Sequence, residues 1–390
     1  MTAIPVSADF DCLARKQPDP NAGFTFSPVP EILADLRNGR MIVLVDAPDR
    51  ENEGDLVIPA QMATPEAVNF MATHGRGLIC LALSRARSQT LGLESMVQQN
   101  GSKHRTAFTK SIEARHGIST GISARDRART IAAAIDSTKG ADDLVSPGHV
   151  FPLVARDGGV LIRAGHTEAS VDLARMAGLV PAAVICEIMS EDGRMARVPE
   201  LKQFAVRHGF KACTIEDLIA YRLRNEQLVH RQLRKCVETN WGTFDTTVFV
   251  SKVDGSEHVA FVKGDIATPE PVLVRVQVDQ ALEGIVPGSQ GSPPPTLADA
   301  LSAVAAEKRG VVVVIGSHQP TLFSQRLAQF GDAELPPLRE VETGIGSQIL
   351  KGLGVSQMIV LTSHAPAIYS GIDAYGLSIV ETRPLKSSSE

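Results

Sequence analysis

The segment Asp46-Ala47-Pro48-Asp49-Arg50-Glu51-Asn52-Glu53-Gly54-Asp55 places five carboxylates and one base in ten residues. Clustered carboxylates repel one another and call for a cation or a shared proton. Oxygen donors of this kind suit a hard ion such as Mg²⁺, which keeps several of its waters. A charge run taken alone is equally a solvated turn; here Pro48 and Gly54 point to a loop of fixed shape. Further along, Arg163-Ala164-Gly165-His166-Thr167-Glu168 opens a helix. Helix starts present free N–H groups that suit a phosphate. Arg163 adds a planar, permanently charged fork, and a neutral ring nitrogen of His166 is a potential metal ligand. Read alone, the same residues make an N-cap threonine beside a surface arginine and histidine. Glu51 and His166 are 115 residues apart, so spacing does not bring them together. His149, after Pro147-Gly148, reads by itself as a structural histidine. Glu187 lies in the apolar run 183–189. There it either faces solvent or is buried, with its pKa raised into the range useful for proton transfer.

The elements that must carry these residues alternate between strands and helices. Apolar runs at 41–45 and 56–59 read as strands on either side of the acidic loop. A helix over 31–38 stops at Gly39. Thr64-Pro65-Glu66 supplies an N-cap, a first-turn proline and a first-turn acid for a helix to about His74. A strand over 78–83, a polar loop over 95–107 and a strand over 108–114 follow. Ser119-Thr120-Gly121 lies in a glycine-bracketed turn, and Ser123 with Asp126 forms a capping-box signature opening a helix through Ile135. Residues 146–149 read as a turn into a strand over 150–154. A short strand over 160–162 precedes the helix that runs to about Ala177. A strand over 181–189 and helices over 200–208 and 214–227, the last capped by Thr214 and Asp217, complete an α/β to α+β pattern with a mixed sheet. Residues 222–235 are basic and helix-like, a linker pattern. Beyond them, strands over 246–250, 258–262, 272–278, 311–315 and 358–361 mix with helices over 296–307 and 346–353 and a loop over 288–295, a second α+β domain. The expected division is an irregular arm over 1–27, a first domain over 28–222, a basic linker over 223–235 and a second domain over 236–390.

A chain of 390 residues suits two or three domains. The net charge of −5 argues against a general nucleic-acid binder, because phosphate neutralisation needs a basic surface. The five cysteines are odd in number and form no C-x-x-C pair. That argues against a disulfide framework or structural zinc and fits a reducing cytoplasm. No apolar run reaches the roughly 18 residues of a membrane span, and the first residues lack the pattern of a secretory leader.

Taken in order, five motifs carry a resemblance. They are Asp49-Arg50-Glu51-Asn52-Glu53-Gly54-Asp55, Ser119-Thr120-Gly121, Pro147-Gly148-His149-Val150-Phe151-Pro152-Leu153, Arg163-Ala164-Gly165-His166-Thr167-Glu168-Ala169 and Cys186-Glu187. Together they make residues 28–222 resemble 3,4-dihydroxy-2-butanone-4-phosphate synthase, an enzyme of riboflavin biosynthesis. The resemblance implies a lyase that turns D-ribulose 5-phosphate into formate and L-3,4-dihydroxy-2-butanone 4-phosphate. It implies Mg²⁺ or Mn²⁺, two ions per site, and no organic cofactor. It implies Glu51 and His166 as metal ligands and His149 and Glu187 as the acid–base pair. Substrate contacts would come from Arg50, Glu51, Asp55, Thr120, Arg163, Ala164, Gly165, His166, Thr167 and Glu187. It also implies a homodimer with active sites at the subunit interface.

The second half resembles a GTP cyclohydrolase II domain through His258-Val259-Ala260-Phe261-Val262-Lys263-Gly264-Asp265-Ile266, Gly344-Ile345-Gly346-Ser347-Gln348-Ile349-Leu350 and Tyr375-Gly376-Leu377-Ser378-Ile379-Val380. That family's cysteine-rich zinc motif should follow 272–278, yet no cysteine follows Cys236. Its Glu-Gly-Arg-Gly-Ile-Gly segment and its Asp-x-Arg pair are missing. Thr343 stands at its tyrosine, and its Asn-Asn-Pro-x-Lys turn is Ser363-His364-Ala365-Pro366-Ala367. The expectation is a scaffold without zinc and without GTP ring opening. The alternatives are a bifunctional enzyme with altered ligands, or a module that senses nucleotide or flavin or holds an oligomer together.

Overall fold

The computed structural model describes residues 25–279, 295–316, 340–362 and 372–385. The first sheet contains β1 (Ile42–Val45), β2 (Gly54–Pro59), β3 (Cys80–Leu83), β4 (Ile112–Ala114), β5 (Leu144–Val154), β6 (Ala182–Glu187) and β7 (Ala212–Thr214). Their order is β4-β5-β3-β6-β2-β1-β7. β1 with β7 and β3 with β5 are parallel, and the remaining pairs are antiparallel. The central strands are apolar on both faces because helices cover both. Ile42 and Leu44 face α1 (Val29–Arg37), α5 (His166–Met176) and α7 (Ile215–Asn225). Val43 and Val45, turned the other way by the two-residue period, face α2 (Pro65–Phe70), α4 (Ala124–Ile135) and α6 (Val198–His208). A short α3 (Arg85–Thr90) follows β3.

The second sheet contains β8 (Val229–Thr239), β9 (Gly242–Ser251), β10 (Glu257–Lys263), β11 (Val272–Val278), β12 (Gly310–Ile315), β13 (Gln357–Thr362) and β14 (Ser378–Pro384). Its order is β14-β13-β11-β12-β10-β9-β8, with α8 (Leu297–Glu307) and α9 (Glu340–Gly352) packed on it. The two sheets share one apolar cluster: Leu173 and Leu218 of the first half belong with Phe249 and Ile345 of the second. No helix among the described residues is long and apolar enough to cross a membrane.

Four local expectations give way. Residues 222–235 are not a helix-like linker: α7 ends at Asn225 and β8 begins at Val229. β8 is an edge strand whose basic side chains are exposed, and its pairing with β9 leaves no trace in local periodicity. Residues 146–149 are not a turn but the bulged part of β5, opposite the register shift between Ile112 and Glu113 of β4. A bulge is where a strand tolerates proline. Residues 160–162 are not a strand: Gly158 and Gly159, both at positive φ, wind the chain into a 3₁₀ turn over Gly159–Leu161. The strand expected over 108–114 keeps only β4 and two isolated bridges, Phe108 to Leu153 and Thr109 to Ser95. The caps hold better. Thr64, Ser123 and Thr214 each accept the expected backbone N–H. Asp126, however, turns away from its capping box. It accepts from Ser119 N at 3.2 Å, Ser119 Oγ at 2.7 Å and Gly121 N at 3.1 Å. Most of the 1–27 arm, the 288–295 loop apart from its last residue, His318 and the 363–367 turn lie outside the described residues.

Candidate active site

Asp46 closes the acidic loop. It leaves β1 and accepts Glu53 N at 2.8 Å, Glu51 N at 3.2 Å and Arg50 Nη1 at 2.8 Å. Arg197, at the start of α6, donates to Glu51 O at 2.8 Å and to Asn52 O. The loop thereby aims Glu51 at the N-terminus of α5. Glu51 Oε2 lies 2.7 Å from Arg50 Nη1 and 3.6 Å from His166 Nδ1. His166 Nε2 lies 3.2 Å from Leu44 O and 3.8 Å from Asp55 Oδ1. Asp55 is opposite Glu187 in the β2–β6 register. Glu187 Oε2 accepts Leu78 N at 2.8 Å.

The electrostatics of this cluster are those of a site short of positive charge. Burial pushes the Asp55 carboxyl up to about 7; His166 opposes that, and Glu187, Glu51 and Glu53 add to it. Burial would pull His166 down, but Asp55, Glu51 and Asp46 together push it up to about 9. Burial would raise Glu51, yet its hydrogen bond to His166 and the charges of Arg50, His166 and His104 take it down to about 2. Asp55 Oδ1 is buried with no hydrogen-bond partner. Asp46, Glu51 and His166 offer donor atoms within 4.8 Å of one another. Carboxylate oxygens with one imidazole suit a divalent cation. Asp46 already accepts three hydrogen bonds, so Glu51 and His166 are the donors with capacity to spare.

Arg163 is held rather than free. It donates to Glu168 Oε2 at 2.6 Å, His104 O at 3.0 and 3.3 Å, and Thr106 Oγ1 at 3.1 Å. It thus ties the 95–107 loop to the start of α5. Thr167 is not the N-cap; Gly165 is, and it provides no side-chain cap for the first-turn N–H groups. Ala164, Gly165 and Thr167 consequently surround an uncapped helix start beside the carboxylate–imidazole cluster.

His149 and Thr120 form a separate group. His149 Nδ1 pairs with Glu113 Oε1. The 119–121 turn packs on that pair: a Cβ on Gly121 would lie 1.7 Å from Glu113 Oε1. Extending the β3–β6 and β3–β5 registers sets Leu78 beside Glu187 and His149 beside Leu78. His149 is therefore two strand spacings, roughly 10 Å, from Glu187. Gly121 also has φ +87°. Gly121→Ala is expected to destabilise the protein by about 1–3 kcal/mol in urea unfolding and to dislodge Glu113 from His149. Wild-type stability in that variant would show that the turn is not locked.

The structure thus unites Arg50, Glu51, Asp55, His166 and Glu187, places Arg163 to Thr167 beside them, and sets His149 and Thr120 apart. Three supporting residues escaped sequence reasoning, Glu113, Arg197 and His104, and Asp46 was counted in the acidic run without a role of its own. Asp46 ends an apolar run and opens the acidic one, which was a usable signal. Glu113 and Arg197 act across 36 and 145 residues, where no local pattern reports them.

Fold and site define a two-domain α/β protein of enzymatic type, with a carboxylate–imidazole cluster whose donor set could hold a cation. Residues 30–221 match the 3,4-dihydroxy-2-butanone 4-phosphate synthase family, and residues 230–384 match GTP cyclohydrolase II. The chain is 47% identical over 358 residues to a 3,4-dihydroxy-2-butanone 4-phosphate synthase of Neisseria meningitidis serogroup A, covering 91% of this chain and 97% of that one. It is 46% identical over 381 residues to the riboflavin biosynthesis protein RibBA of Aquifex aeolicus, covering 93% of each. A crystal structure of RibBX, a two-domain 3,4-dihydroxy-2-butanone 4-phosphate synthase from A. baumannii, superposes with a TM-score of 0.76 at 41% identity, covering 92% of this chain and 99% of that one. The chain belongs to the 3,4-dihydroxy-2-butanone 4-phosphate synthase family of riboflavin biosynthesis.

Proposed function

We propose that residues 28–222 convert D-ribulose 5-phosphate to L-3,4-dihydroxy-2-butanone 4-phosphate and formate. The observation that carries this reading is the convergence of Glu51 and His166, 115 residues apart in sequence, on one buried cluster with Asp55 Oδ1, which accepts no hydrogen bond, and with Glu187 on the next strand. Glu51 and His166 would hold Mg²⁺ (or Mn²⁺), with two ions per site, which when bound would supply Lewis-acid stabilisation of developing oxyanion charge. Glu187, fixed by Leu78 N, and His149, paired with Glu113, exchange protons with the substrate. Arg50 and Asp55 contact the sugar, Thr120 touches it from the 119–121 turn, and the α5 start takes the phosphate. Incubation with ribulose 5-phosphate and Mg²⁺ tests the proposal, and absence of formate overturns it.

The separation of His149 and Thr120 from Glu187 favours a homodimer in which two copies complete each site. Leu78, Met96, Val97 and Ile122, all exposed apolar residues, supply a surface for it. A small phosphorylated substrate, an acidic chain and, among the described residues, free thiols at Cys80, Cys186, Cys213 and Cys236 suit a cytoplasmic enzyme that does not bind nucleic acid.

Arg163→Lys is expected to raise KM for ribulose 5-phosphate. The ammonium keeps the charge but cannot reach Glu168, His104 O and Thr106 together, so the helix start and its phosphate site loosen. An unchanged KM would place the anchor elsewhere.

Residues 236–390 are proposed to be inactive on GTP. Thiolates are the strong zinc ligands, and the only cysteine here, Cys236, is exposed on β8. His258 is buried and its Nδ1 accepts Gly316 N at 3.1 Å, so it is engaged in the fold. Thr343 and Ser347 line a cavity otherwise walled by apolar residues such as Val274, Val276, Met358 and Val360. Among the described residues this lining holds no carboxylate, imidazole or thiol. Elemental analysis is expected to find no stoichiometric zinc, and GTP to yield no formate under conditions where ribulose 5-phosphate does. Bound zinc together with GTP-dependent formate would restore the bifunctional reading that the cyclohydrolase match invites.

A further inference from the structure

The helix that begins with His166 and Thr167 is held from behind by residues that touch no part of the site. Asp172, one and a half turns further along α5, is buried and accepts Arg222 Nη1 at 2.6 Å and Val160 N at 2.9 Å. Arg222, itself buried, also donates to Gly158 O at 2.8 Å and grips Glu226 through Nε at 3.0 Å and Nη2 at 2.8 Å. One guanidinium therefore joins the end of α7, the middle of α5 and the 158–160 turn that leads into Arg163.

The end of α7 is finished by the other half of the chain. The last carbonyls of a helix lack partners within it. Gln348, on α9, donates Nε2 to Leu223 O and to Glu226 O, both at 2.8 Å, and accepts Leu228 N at 2.9 Å. Val253, between β9 and β10, closes on the same turn from the other side: a Cβ on Gly158 would meet Val253 Cγ1 at 2.8 Å. The second half thus touches both parts that fix α5, the end of α7 and the 158–162 turn.

We propose that Gln348 is a positioning residue for the synthase site, acting through α7 and the Arg222–Asp172 pair to set the α5 N-terminus that carries His166 and Thr167. On this account a half with no chemistry of its own braces the metal-binding histidine of the other half. The inference rests on the reading of His166 as a metal ligand. A misplacement of about 1 Å transmitted from a distant residue can cost on the order of 10²-fold in turnover.

The test uses the full chain. Gln348→Ala, Asp172→Asn and the double variant are titrated with Mg²⁺ by calorimetry without substrate, then assayed with ribulose 5-phosphate well below their melting temperatures. Gln348→Glu accompanies them. It keeps side-chain length and the acceptor for Leu228 N but removes both donors, so it serves if the alanine variant does not fold. Each single variant is expected to weaken Mg²⁺ binding and lower kcat by about 2- to 30-fold, the range found for substitutions along contiguous coupling networks. The double variant is expected to lose no more than the worse single one, because both cut the same link. Unchanged Mg²⁺ affinity in folded Gln348 variants overturns the proposal, as do losses that multiply independently. If the variants shift Mg²⁺ affinity while wild type makes no formate, the brace stands and the reaction assignment falls. If wild type turns over and the variants match it in both measurements, the reaction stands and the brace falls.

Discussion

Glu51→Gln is expected to abolish formate release from ribulose 5-phosphate while leaving the fold intact. The amide is nearly isosteric but carries no charge, and Glu51 is the carboxylate that Arg50 and His166 hold most firmly ionised. Electrostatic stabilisation by a bound ion is worth several kcal/mol, so losing a ligand charge should cost at least about 10²-fold in kcat/KM. Some stability should fall with it, because a carboxylate held at about 2 contributes stability at neutral pH through Arg50 and His166, and the amide loses that contribution. Relief of the repulsion that Glu51 exerts on Glu53 and Asp55 offsets part of that loss, so the variant should still fold. EDTA should reproduce the loss in wild type, and added Mg²⁺ should reverse it there but not in the variant. Near-normal turnover by Glu51→Gln after stripping and addition of a defined Mg²⁺ concentration would remove Glu51 from the ligand set. A pH signature accompanies this. His166, pushed up to about 9 by its carboxylate neighbours, is protonated at neutral pH when no ion is bound, and a ligating imidazole must be neutral. Mg²⁺ binding should release a proton, and affinity should rise with pH until His166 has titrated. Calorimetry in buffers of different ionisation enthalpy measures that proton directly.

What was legible in the chain follows the range of the forces involved. Residues 41–45 and 56–59 read as strands because both of their faces are buried, which leaves an unbroken apolar run. Thr64, Ser123 and Thr214 read as caps because a cap is settled within three residues. β8 was missed because its partner begins at Gly242 and its own side chains face solvent. His149 was placed in a turn because Pro147-Gly148 is a turn signal, whereas the bulge opposite Ile112 and Glu113 exists only once β4 pairs with β5. Glu51 and His166 could each be marked as chemically suited, but only motif order placed them in one site, and only the sheet brought Asp55 and Glu187 side by side.

The second large effect is expected from His149→Ala. A general acid–base group contributes about 10²–10⁴-fold, and its loss should fall on kcat far more than on KM, because the group acts in the transition state. Glu187→Gln should show the same split. The two differ in where they stand. Glu187 is opposite Asp55 in the β2–β6 register, within the cluster of Glu51 and His166. His149 is exposed, paired with Glu113, and two strand spacings away. A site completed by the partner copy predicts complementation. His149→Ala lacks one part and Glu51→Gln lacks the other, so a mixed dimer of the two rebuilds one intact site from two defective chains. When the variants are co-expressed in equal amounts, half of the dimers are mixed and each carries one working site of two. The pool should then recover about a quarter of wild-type activity. If both parts instead act within one chain, every chain in the pool stays defective and no activity returns. In that case loop movement within the subunit would have to bring His149 to Glu187.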